Sequence, residues 1–383
     1  MMGHSDDSRL RILFLAGWYP TEDNPVFGIF VREHAKAVAL YNDVVVLHPI
    51  GEPLLKRRYK LSDTVEEGIR TLRVHYCHSP IPKTTYFIYL WSVTRAFHYL
   101  VKEGFKPDVI HAHIFHAGAP AVILGRLYKI PVVITEQSTG FPRRILSKTE
   151  VLEARFAMNR AQLILPVSDD LWKHIEAYGI QNKFQIVPNV VNMDLFHPEF
   201  SSRSRETKRI LVVALLTPKK GVPYLLQALS QLEKKRDDFI LDIVGDGPYR
   251  GEYEKQAWDL GIADKVKFHG LKPKEIVAKY MRQCDFLVLP SLVETFGAVI
   301  VEALAAGKPV IVTEIGGPKE IVTSQVGILV PPQDAQTLAG AIDYMLDHHR
   351  DYNPHKITQY AQKRYSYEAV GKALDSIYRS LQP

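Results

Sequence analysis

Short apolar runs alternate with longer amphipathic stretches along the whole chain. Apolar runs rich in β-branched residues are typical of buried strands, and their alternation with helical stretches predicts a doubly wound α/β architecture. The alternation starts again after a polar, turn-rich segment at residues 196–208, which we interpret as a linker between two domains. The predicted strands are 12–16, 44–47, 71–76, 109–113, 132–135, 163–167 and 185–187, then 210–216, 240–244, 266–269, 286–289, 310–313 and 328–330.

One helix of the second half, predicted over residues 296–306, is apolar on nearly every side, as buried helices are. Glu302 nevertheless lies in its middle, and Glu294 lies in the turn before it. A buried carboxylate needs hydrogen-bond donors, which vicinal sugar hydroxyls could supply, and free N–H groups at Phe296 and Gly297 would favour a phosphate. A buried salt bridge for Glu302 and helix capping by Glu294 explain the same residues, so both interpretations stay open here.

Composition narrows the class of protein. At 383 residues the chain is too long for one ordinary core, and 46% hydrophobic with 23% charged residues is typical of soluble globular proteins. The chain has no apolar run long enough to span a bilayer, and its polar beginning has no signal core. Cys77 and Cys284 share no ligand spacing, so we expect a cytoplasmic protein without disulfide or zinc. The net charge of +6 favours an anionic partner.

The turns after the strands argue against two common nucleotide-binding classes. A dinucleotide oxidoreductase needs a Gly-x-Gly-x-x-Gly turn after its first strand, but residues 17–28 have none and residues 245–251 have the wrong spacing. The chain also has no Walker A lysine motif. We therefore predict neither nicotinamide nor P-loop chemistry.

Three histidines mark the end of one strand in the first half. His111 and His113 share a face by the two-residue period of a strand, and His116 lies in the following turn. No acidic or cysteine ligand has a supporting spacing, which disfavours a metal site. We expect His111 to be buried and hydrogen-bonded, and His113 and His116 to line the cleft where the strands end.

Two lysines and several glycines follow strands of the second half. Lys219 and Lys220 precede a helix, where a cation is unfavourable unless an anion lies between, so either a phosphate contact or a solvated surface pair explains them. Turns at Gly245, Gly247 and residues 316–317 would let a ligand approach the backbone, although turn chemistry alone also accounts for them.

An ordered set of motifs covers essentially the whole second half, at residues 215–226, 243–250, 266–270, 290–297 and 313–320, with Glu294 and Glu302 as a pair. Looser matches in the first half lie at residues 18–20, 28–30, 111–113, 135–137 and 187–189. This set resembles the retaining family-four (group 1) glycosyltransferases of the GT-B architecture, of the bacterial cell-surface polysaccharide type.

The resemblance implies two Rossmann-like doubly wound domains that face a central cleft. Residues 1–195 would form the acceptor-binding domain and residues 196–365 the nucleotide-sugar-binding domain. Residues 366–383 would form a helix that crosses back to the first domain.

The resemblance also implies the site residues. Glu294, Lys220 and His113 are expected to be catalytic, and His116 and Glu136 to lie on the acceptor side. Where the family usually has an arginine, five residues before the lysine, this chain has Leu215, so Lys219 or another residue supplies the second charge or phosphate binding is weaker. The expected donor-binding residues are Gly28, Lys219, Gly245, Gly247, Gly270, Thr295, Phe296, Gly297, Ala298, Val299 and Glu302.

The expected reaction moves a sugar from a UDP- or GDP-sugar to an acceptor hydroxyl with retained anomeric configuration, in surface polysaccharide or glycolipid synthesis. Lys220 and the helix start near Phe296 would stabilise the leaving diphosphate without a metal or other cofactor, and the chain has no Asp-x-Asp metal motif. A nucleotide-sugar epimerase or hydrolase on the same scaffold is the alternative. A nucleic-acid binder is suggested only by the basic charge.

The acceptor is expected to be a small molecule or a lipid-linked molecule. Lys56, Arg57 and Arg58, with the aromatic run at residues 86–91, could lay the first domain on an acidic membrane at the inner face. A core-facing helix beside a solvated charge cluster explains the same residues, so peripheral membrane contact stays open.

Overall fold

A computed structural model describes residues 9–53, 59–79, 81, 84–199 and 206–382. The basic cluster at residues 56–58, the first eight residues and the middle of the predicted linker lie outside these ranges. The chain divides into two compact units, and each contains a largely parallel sheet covered by helices. This confirms the predicted pair of doubly wound α/β domains. The first unit comprises Met1–Val167, Leu171–Val190 and Tyr367–Pro383, and the second comprises Ser168–Asp170 and Val191–Ser366.

The first unit contains a seven-stranded sheet in the order β3-β4-β2-β1-β5-β6-β7. All its strand pairs are parallel except β3 with β4. The order reverses between β1 and β5, from which the chain winds outward in both directions. The strands are β1 Arg11–Ala16, β2 Asp43–Glu52, β3 Tyr59–Glu66, β4 Ile69–Cys77, β5 Val109–His113, β6 Val132–Glu136 and β7 Leu163–Pro166.

Strand β3 was not predicted, because its sequence is polar and has no apolar run. Ion pairs with β4 stabilise this edge strand instead, between Arg70 and Asp63 at 2.7 Å and between Arg73 and Glu66 at 2.6 Å. The predicted strand at residues 185–187 is wrong, since the structure has only a single bridge from Phe184 to Ile164 there.

The second unit contains a six-stranded, all-parallel sheet in the order β10-β9-β8-β11-β12-β13. Its order reverses between β8 and β11. Three of the predicted strands, 109–113, 286–289 and 310–313, have their predicted bounds. The second-unit strands are β8 Lys208–Val213, β9 Phe239–Val244, β10 Val266–Phe268, β11 Phe286–Leu289, β12 Val310–Thr313 and β13 Gly327–Val330.

Helices cover both sheets, and their starts follow local capping chemistry. Ser147 and Glu150 form a capping box, while Asp334 and Asn353 accept backbone N–H groups at two later helix starts. The helices are α1 Ile29–Ala39, α2 Thr84–Lys102, α3 Phe115–Tyr128, α4 Gly140–Arg143, α5 Lys148–Met158, α6 Asp169–Glu176, α7 Val222–Glu233, α8 Arg250–Asp259, α9 Lys274–Gln283, α10 Ala298–Ala305, α11 Pro318–Ile321, α12 Ala335–His348, α13 Pro354–Tyr365 and α14 Tyr367–Ser380.

The last helix, α14, packs against α1 in the first unit. Its buried face includes Leu374 and Tyr378, which belong to the same apolar core as Phe14 of β1. Gly371 lies against the backbone of α1, where a Cβ would come within 2.3 Å of the Ala37 carbonyl oxygen. Close packing of the two helices therefore depends on this glycine.

Candidate active site

Lys220 and Glu294 form an ion pair at the carboxyl edge of the second unit's sheet, with Nζ and Oε2 2.5 Å apart. Lys220 ends the 3₁₀ turn Pro218–Lys220 after β8, and Glu294 lies in the loop after β11. Open α/β sheets bind ligands where the strand order reverses, and β8 and β11 flank that point here. The structure thus brings together two residues that are far apart in the sequence and were expected to be catalytic.

The backbones of the two loops are also in direct contact. The Leu292 N–H donates to the Lys219 carbonyl at 2.7 Å. Gly221 has φ +66°, and a Cβ there would lie 1.9 Å from the Pro290 carbonyl oxygen. Gly221 was not predicted as a site residue, although its position between the lysines and a helix is a recognisable signal. Any side chain at this position would push Lys220 away from Glu294.

Glu302, in the middle of α10, is only 5% exposed and pairs with Lys274, with Nζ and Oε1 2.6 Å apart. The buried salt bridge that the sequence left open is therefore present. Lys274 was not predicted, but it is the first residue of α9, and a cation is unfavourable at a helix start without a nearby anion. Lys274 therefore carries the same sequence signal as Lys220, a cation beside a helix start.

Helix α10 begins later than predicted. Gly297, with φ +84°, is its N-cap, so Phe296 and Gly297 precede the helix, and the first helical N–H groups belong to Ala298 and Val299. Ala298 and Val299 are partly exposed, whereas Thr295 and Phe296 are buried. The free N–H groups at the start of this helix therefore belong to Ala298 and Val299, both among the expected donor-binding residues.

The glycines after β9 and β10 contact the chain's own backbone. A Cβ on Gly245 would lie 1.9 Å from the Ala214 carbonyl oxygen, and one on Gly247 would lie 2.5 Å from that of Leu216. The N–H of Gly245 also donates to the carbonyl of Gly270 at 2.9 Å. Turn and loop packing, which the sequence left open, accounts for these glycines without a ligand.

Leu215 lies in the same loop as Lys219, and 57% of its surface is exposed.

In the first unit, Gly28 has φ +71° as the N-cap of α1, and a Cβ there would lie 2.4 Å from the Trp18 carbonyl carbon. Gly28 therefore allows α1 to start directly against the loop after β1.

His111 is fully buried, and its ring nitrogens contact the Tyr378 hydroxyl at 2.6 Å and the Thr135 hydroxyl at 2.7 Å. This confirms the expected buried, hydrogen-bonded histidine. His113 stacks on His111 with ring centroids 4.3 Å apart, and it too is fully buried rather than exposed along a cleft. Neither ring nitrogen of His113 has a hydrogen-bond partner among the described residues. Burial, with His111 and His34 nearby, lowers the pKa of His113 well below its ordinary value, so the ring is neutral.

Glu136, expected on the acceptor side, is fully buried at the end of β6. Its carboxylate accepts backbone N–H groups of Phe115 at 3.0 Å, Gln137 at 2.9 Å and Ser138 at 2.8 Å. Burial raises the pKa of Glu136 although these N–H groups oppose the shift. The Glu136 carboxylate thus stabilises the turns after β5 and β6, and its role on the acceptor side stays a prediction.

His116 is partly exposed at the start of α3, and its Nδ1 lies 2.9 Å from a carboxylate oxygen of Glu153 on α5. Burial opposes protonation, but the hydrogen bond to Glu153 and the charges of Glu153, Glu136 and Glu150 raise the pKa of His116. His116 was predicted as an acceptor-side residue, whereas Glu153 was not, because its contact joins helices 37 residues apart.

The aromatic run at residues 86–91 lies on α2, and all of its side chains are partly or largely exposed. Phe87 is 67% and Trp91 47% exposed, whereas Phe97 and Leu100 farther along the helix are buried. In the described part of the chain, no helix has the length and apolarity needed to cross a bilayer. The described residues also contain no cluster of three or more His, Cys, Asp or Glu side chains placed to hold a metal ion.

Comparisons with known proteins place these sites in context. The model of the group 1 glycosyl transferases matches residues 194–364, and that of glycosyltransferase family 4 matches residues 29–195. The amylovoran biosynthesis glycosyltransferase AmsK of Erwinia amylovora is 31% identical over 257 residues, which cover 63% of this chain and 62% of that protein. The chain therefore matches less than two thirds of that relative's length.

Two solved structures share the fold across nearly the whole chain. Sucrose-phosphate synthase from Thermosynechococcus elongatus has a TM-score of 0.78 at 24% identity, covering 97% of this chain and 99% of that chain. The Anabaena protein HepE in complex with UDP-glucose has a TM-score of 0.74 at 20% identity, covering 97% of this chain and 100% of that chain. At these identities the likeness concerns the fold.

Proposed function

Because the chain belongs to the group 1 glycosyltransferases, we propose that it transfers a sugar from a nucleoside diphosphate sugar to an acceptor hydroxyl with retained configuration. The observation that carries this proposal is the pairing of Lys220 with Glu294 beside the start of α10, where the second sheet reverses its strand order. HepE, a protein of the same fold, was solved with UDP-glucose, which supports a UDP- or GDP-sugar as donor.

The two ion pairs of the second unit define the proposed donor contacts. Lys220 neutralises the diphosphate, on which negative charge develops as the sugar–phosphate bond breaks, and the N–H groups of Ala298 and Val299 assist it. Glu302 accepts hydrogen bonds from the ribose diol, and Glu294 contacts the transferred sugar. Lys220 pairs with Glu294 and Lys274 with Glu302, so each carboxylate has a positively charged partner. The partly buried charges are thereby held in place for the ligand without remaining uncompensated.

In the proposed reaction the acceptor hydroxyl attacks the anomeric carbon on the face from which the diphosphate leaves. The carbon–oxygen bond to the diphosphate breaks, the bond to the acceptor oxygen forms, and the departing diphosphate takes the acceptor proton. The positive charge of Lys220 serves the leaving group, so no metal or other cofactor is required in this proposal.

Transfer from radiolabelled UDP- and GDP-sugars to a panel of acceptors tests the activity. We expect product only when both substrates are present, and NMR of the fresh product should show the anomeric configuration of the donor. Inversion would contradict the proposed stereochemistry. Release of nucleotide without dependence on an acceptor would instead favour the hydrolase or epimerase alternative, which the family match does not favour.

A role in surface polysaccharide or glycolipid synthesis is supported by AmsK, whose name assigns it to amylovoran biosynthesis.

The exposed side chains of Phe87 and Trp91 lie one helical turn apart on α2 and support peripheral contact with a membrane. The contact is proposed at the cytoplasmic face, where the enzyme would meet a lipid-linked acceptor. Flotation with anionic liposomes tests this contact. Phe87→Ser and Trp91→Ser should each reduce binding, whereas Trp258→Ser, which changes a 75% exposed tryptophan of the second unit, should not. Equal binding by all variants argues against it.

A further inference from the structure

A pocket of about 510 Å³ opens in the first unit at the carboxyl edge of its sheet. Its lining includes Trp18, which follows β1, and His116, which follows β5. These are the two strands between which the sheet order reverses, the place where open α/β sheets bind ligands. The volume also lies within the range of about 300–1,000 Å³ for small-molecule sites.

Three tyrosines from β4 and α2 form the aromatic wall of this pocket, which we call the tyrosine wall: Tyr76, Tyr86 and Tyr89. The Tyr89 ring centroid lies 5.7 Å from that of Tyr76 and 6.0 Å from that of Tyr86. The Tyr89 hydroxyl donates to the His116 carbonyl at 3.2 Å, which joins the wall to the start of α3. Tyr86 is 40% exposed, so a ligand can reach its ring. Such rings combine an apolar face, suited to the C–H face of a sugar, with a polar tip.

The polar groups opposite the wall suit hydroxyl groups and disfavour an anion. Apart from the tyrosines, Glu153 and His116 are the ionisable side chains among the described lining residues, and these include neither lysine nor arginine. Glu150 approaches His116 from its other side, with 3.9 Å between His116 Nε2 and the carboxylate, and adds a second negative charge. Among the described residues of the lining, a phosphate would meet the Glu153 carboxylate and no lysine or arginine to compensate it. A hydroxyl can donate to Glu153 and accept from an imidazolium.

We propose that this pocket binds the acceptor through a neutral, unphosphorylated saccharide unit. The tyrosine wall contacts the sugar ring, and Glu153 with His116 orients its hydroxyl groups as positioning residues. This inference rests on the proposed function and narrows it, because it assigns a chemical class to the acceptor and a specific part of the first unit to its recognition.

Ligand-observed NMR with the full chain tests the proposal directly. The probes are the methyl glycosides of glucose, galactose and mannose, measured beside the 6-phosphates of the same hexoses. We expect at least one methyl glycoside to bind more tightly than its phosphorylated counterpart. Tyr86→Ala and Glu153→Gln should each weaken that binding by about tenfold, the equivalent of losing one good contact. Phe156→Ala, an exposed aromatic of α5 outside the pocket lining, is the matched control and should leave it unchanged.

Three outcomes would overturn the proposal: no binding of any methyl glycoside, tighter binding of the phosphorylated sugars, or equal effects of the pocket variants and the control. Thermal shift with UDP and GDP on the same proteins reports the donor site separately. A nucleotide shift without glycoside binding refutes the saccharide pocket and leaves the proposed transferase donor site intact. Glycoside binding without any nucleotide shift supports the pocket and contradicts the proposed donor.

Discussion

The carboxyl edges of the two sheets share an architecture but differ in their chemistry. In the second unit, the loops that follow β8 and β11 contribute Lys220 and Glu294, and Lys274 pairs with Glu302 nearby. In the first unit, the corresponding edge holds tyrosines, buried neutral histidines and the contact of His116 with Glu153 beside the pocket. This difference matches the proposed ligands, which are an anionic diphosphate at the edge in the second unit and a neutral saccharide at the edge in the first. Two sheets of similar topology therefore present different side-chain chemistry at their carboxyl edges.

Removal of the charges beside the second sheet should have the largest effect. Lys220→Met and Glu294→Gln should each lower kcat by about 100- to 1,000-fold, as expected for losing one preorganised electrostatic contact to the transition state. Lys234→Met, a change at an exposed lysine after α7, is the control and should leave kcat unchanged. Steady-state transfer assays at saturating donor measure the effect. If Lys220→Met behaves like Lys234→Met, the ion pair is structural.

Variants of Glu302 and Lys274 distinguish a role of this ion pair in donor binding from a role in the stability of the fold alone. Glu302→Ala should weaken nucleotide binding by about 10- to 100-fold, because hydrogen bonds to a charged group contribute about 1.5–3 kcal/mol. Lys274→Met removes the same ion pair but leaves the carboxylate for the ribose, so it should lower the melting temperature more than the affinity. Calorimetric titration with UDP and GDP measures this contrast. A purely structural pair would make the two variants bind nucleotide equally well.

An arginine substitution at Leu215 tests whether the proposed diphosphate site lacks a second positive charge. The side chain is 57% exposed, so Leu215→Arg introduces a charge without disturbing the core. Since Arg pairs well with phosphates, we expect donor affinity to rise by about fivefold, the equivalent of about 1 kcal/mol. Leu215→Met is the neutral control. Unchanged affinity in Leu215→Arg would show that a residue elsewhere already supplies the second positive charge.

The smallest expected effect is the pH dependence of the His116–Glu153 contact. The pKa of His116 is raised above the ordinary value of 6.5, so the contact stabilises the fold fully below that value and less as pH rises through the folded-state pKa. The contribution is on the order of 0.5 kcal/mol because the imidazole is partly exposed and solvent screens the pair. Melting temperatures of wild type and Glu153→Gln at pH 6 and pH 9 should therefore converge at the higher pH. A difference that grows with pH contradicts this assignment.

The repeated alternation of apolar runs and helical stretches was enough to predict two doubly wound domains and nearly all their strands, because buried parallel strands need continuous apolar sequence. It was not enough for β3, which is polar and is held by ion pairs with β4. Of the candidate site, Lys220, Glu294 and Glu302 were predictable, since charges near helix starts or within apolar helices call for a partner. Their identification as a donor site came from resemblance and stays a proposal.

The sequence alone was enough to predict which residue types follow which strands, with Lys220 and Glu294 after strands of the second half and His116 after a strand of the first. The tertiary structure decided the partners. It paired Lys274 with Glu302, joined Lys220 to Glu294 across 74 residues, and buried His113, which was expected to line a cleft. The physical reason is that strand order, which brings β8 beside β11 and β1 beside β5, depends on the packing of the whole sheet. Local sequence patterns do not predict strand order. The loops that are neighbours in space could therefore be identified only from the structure.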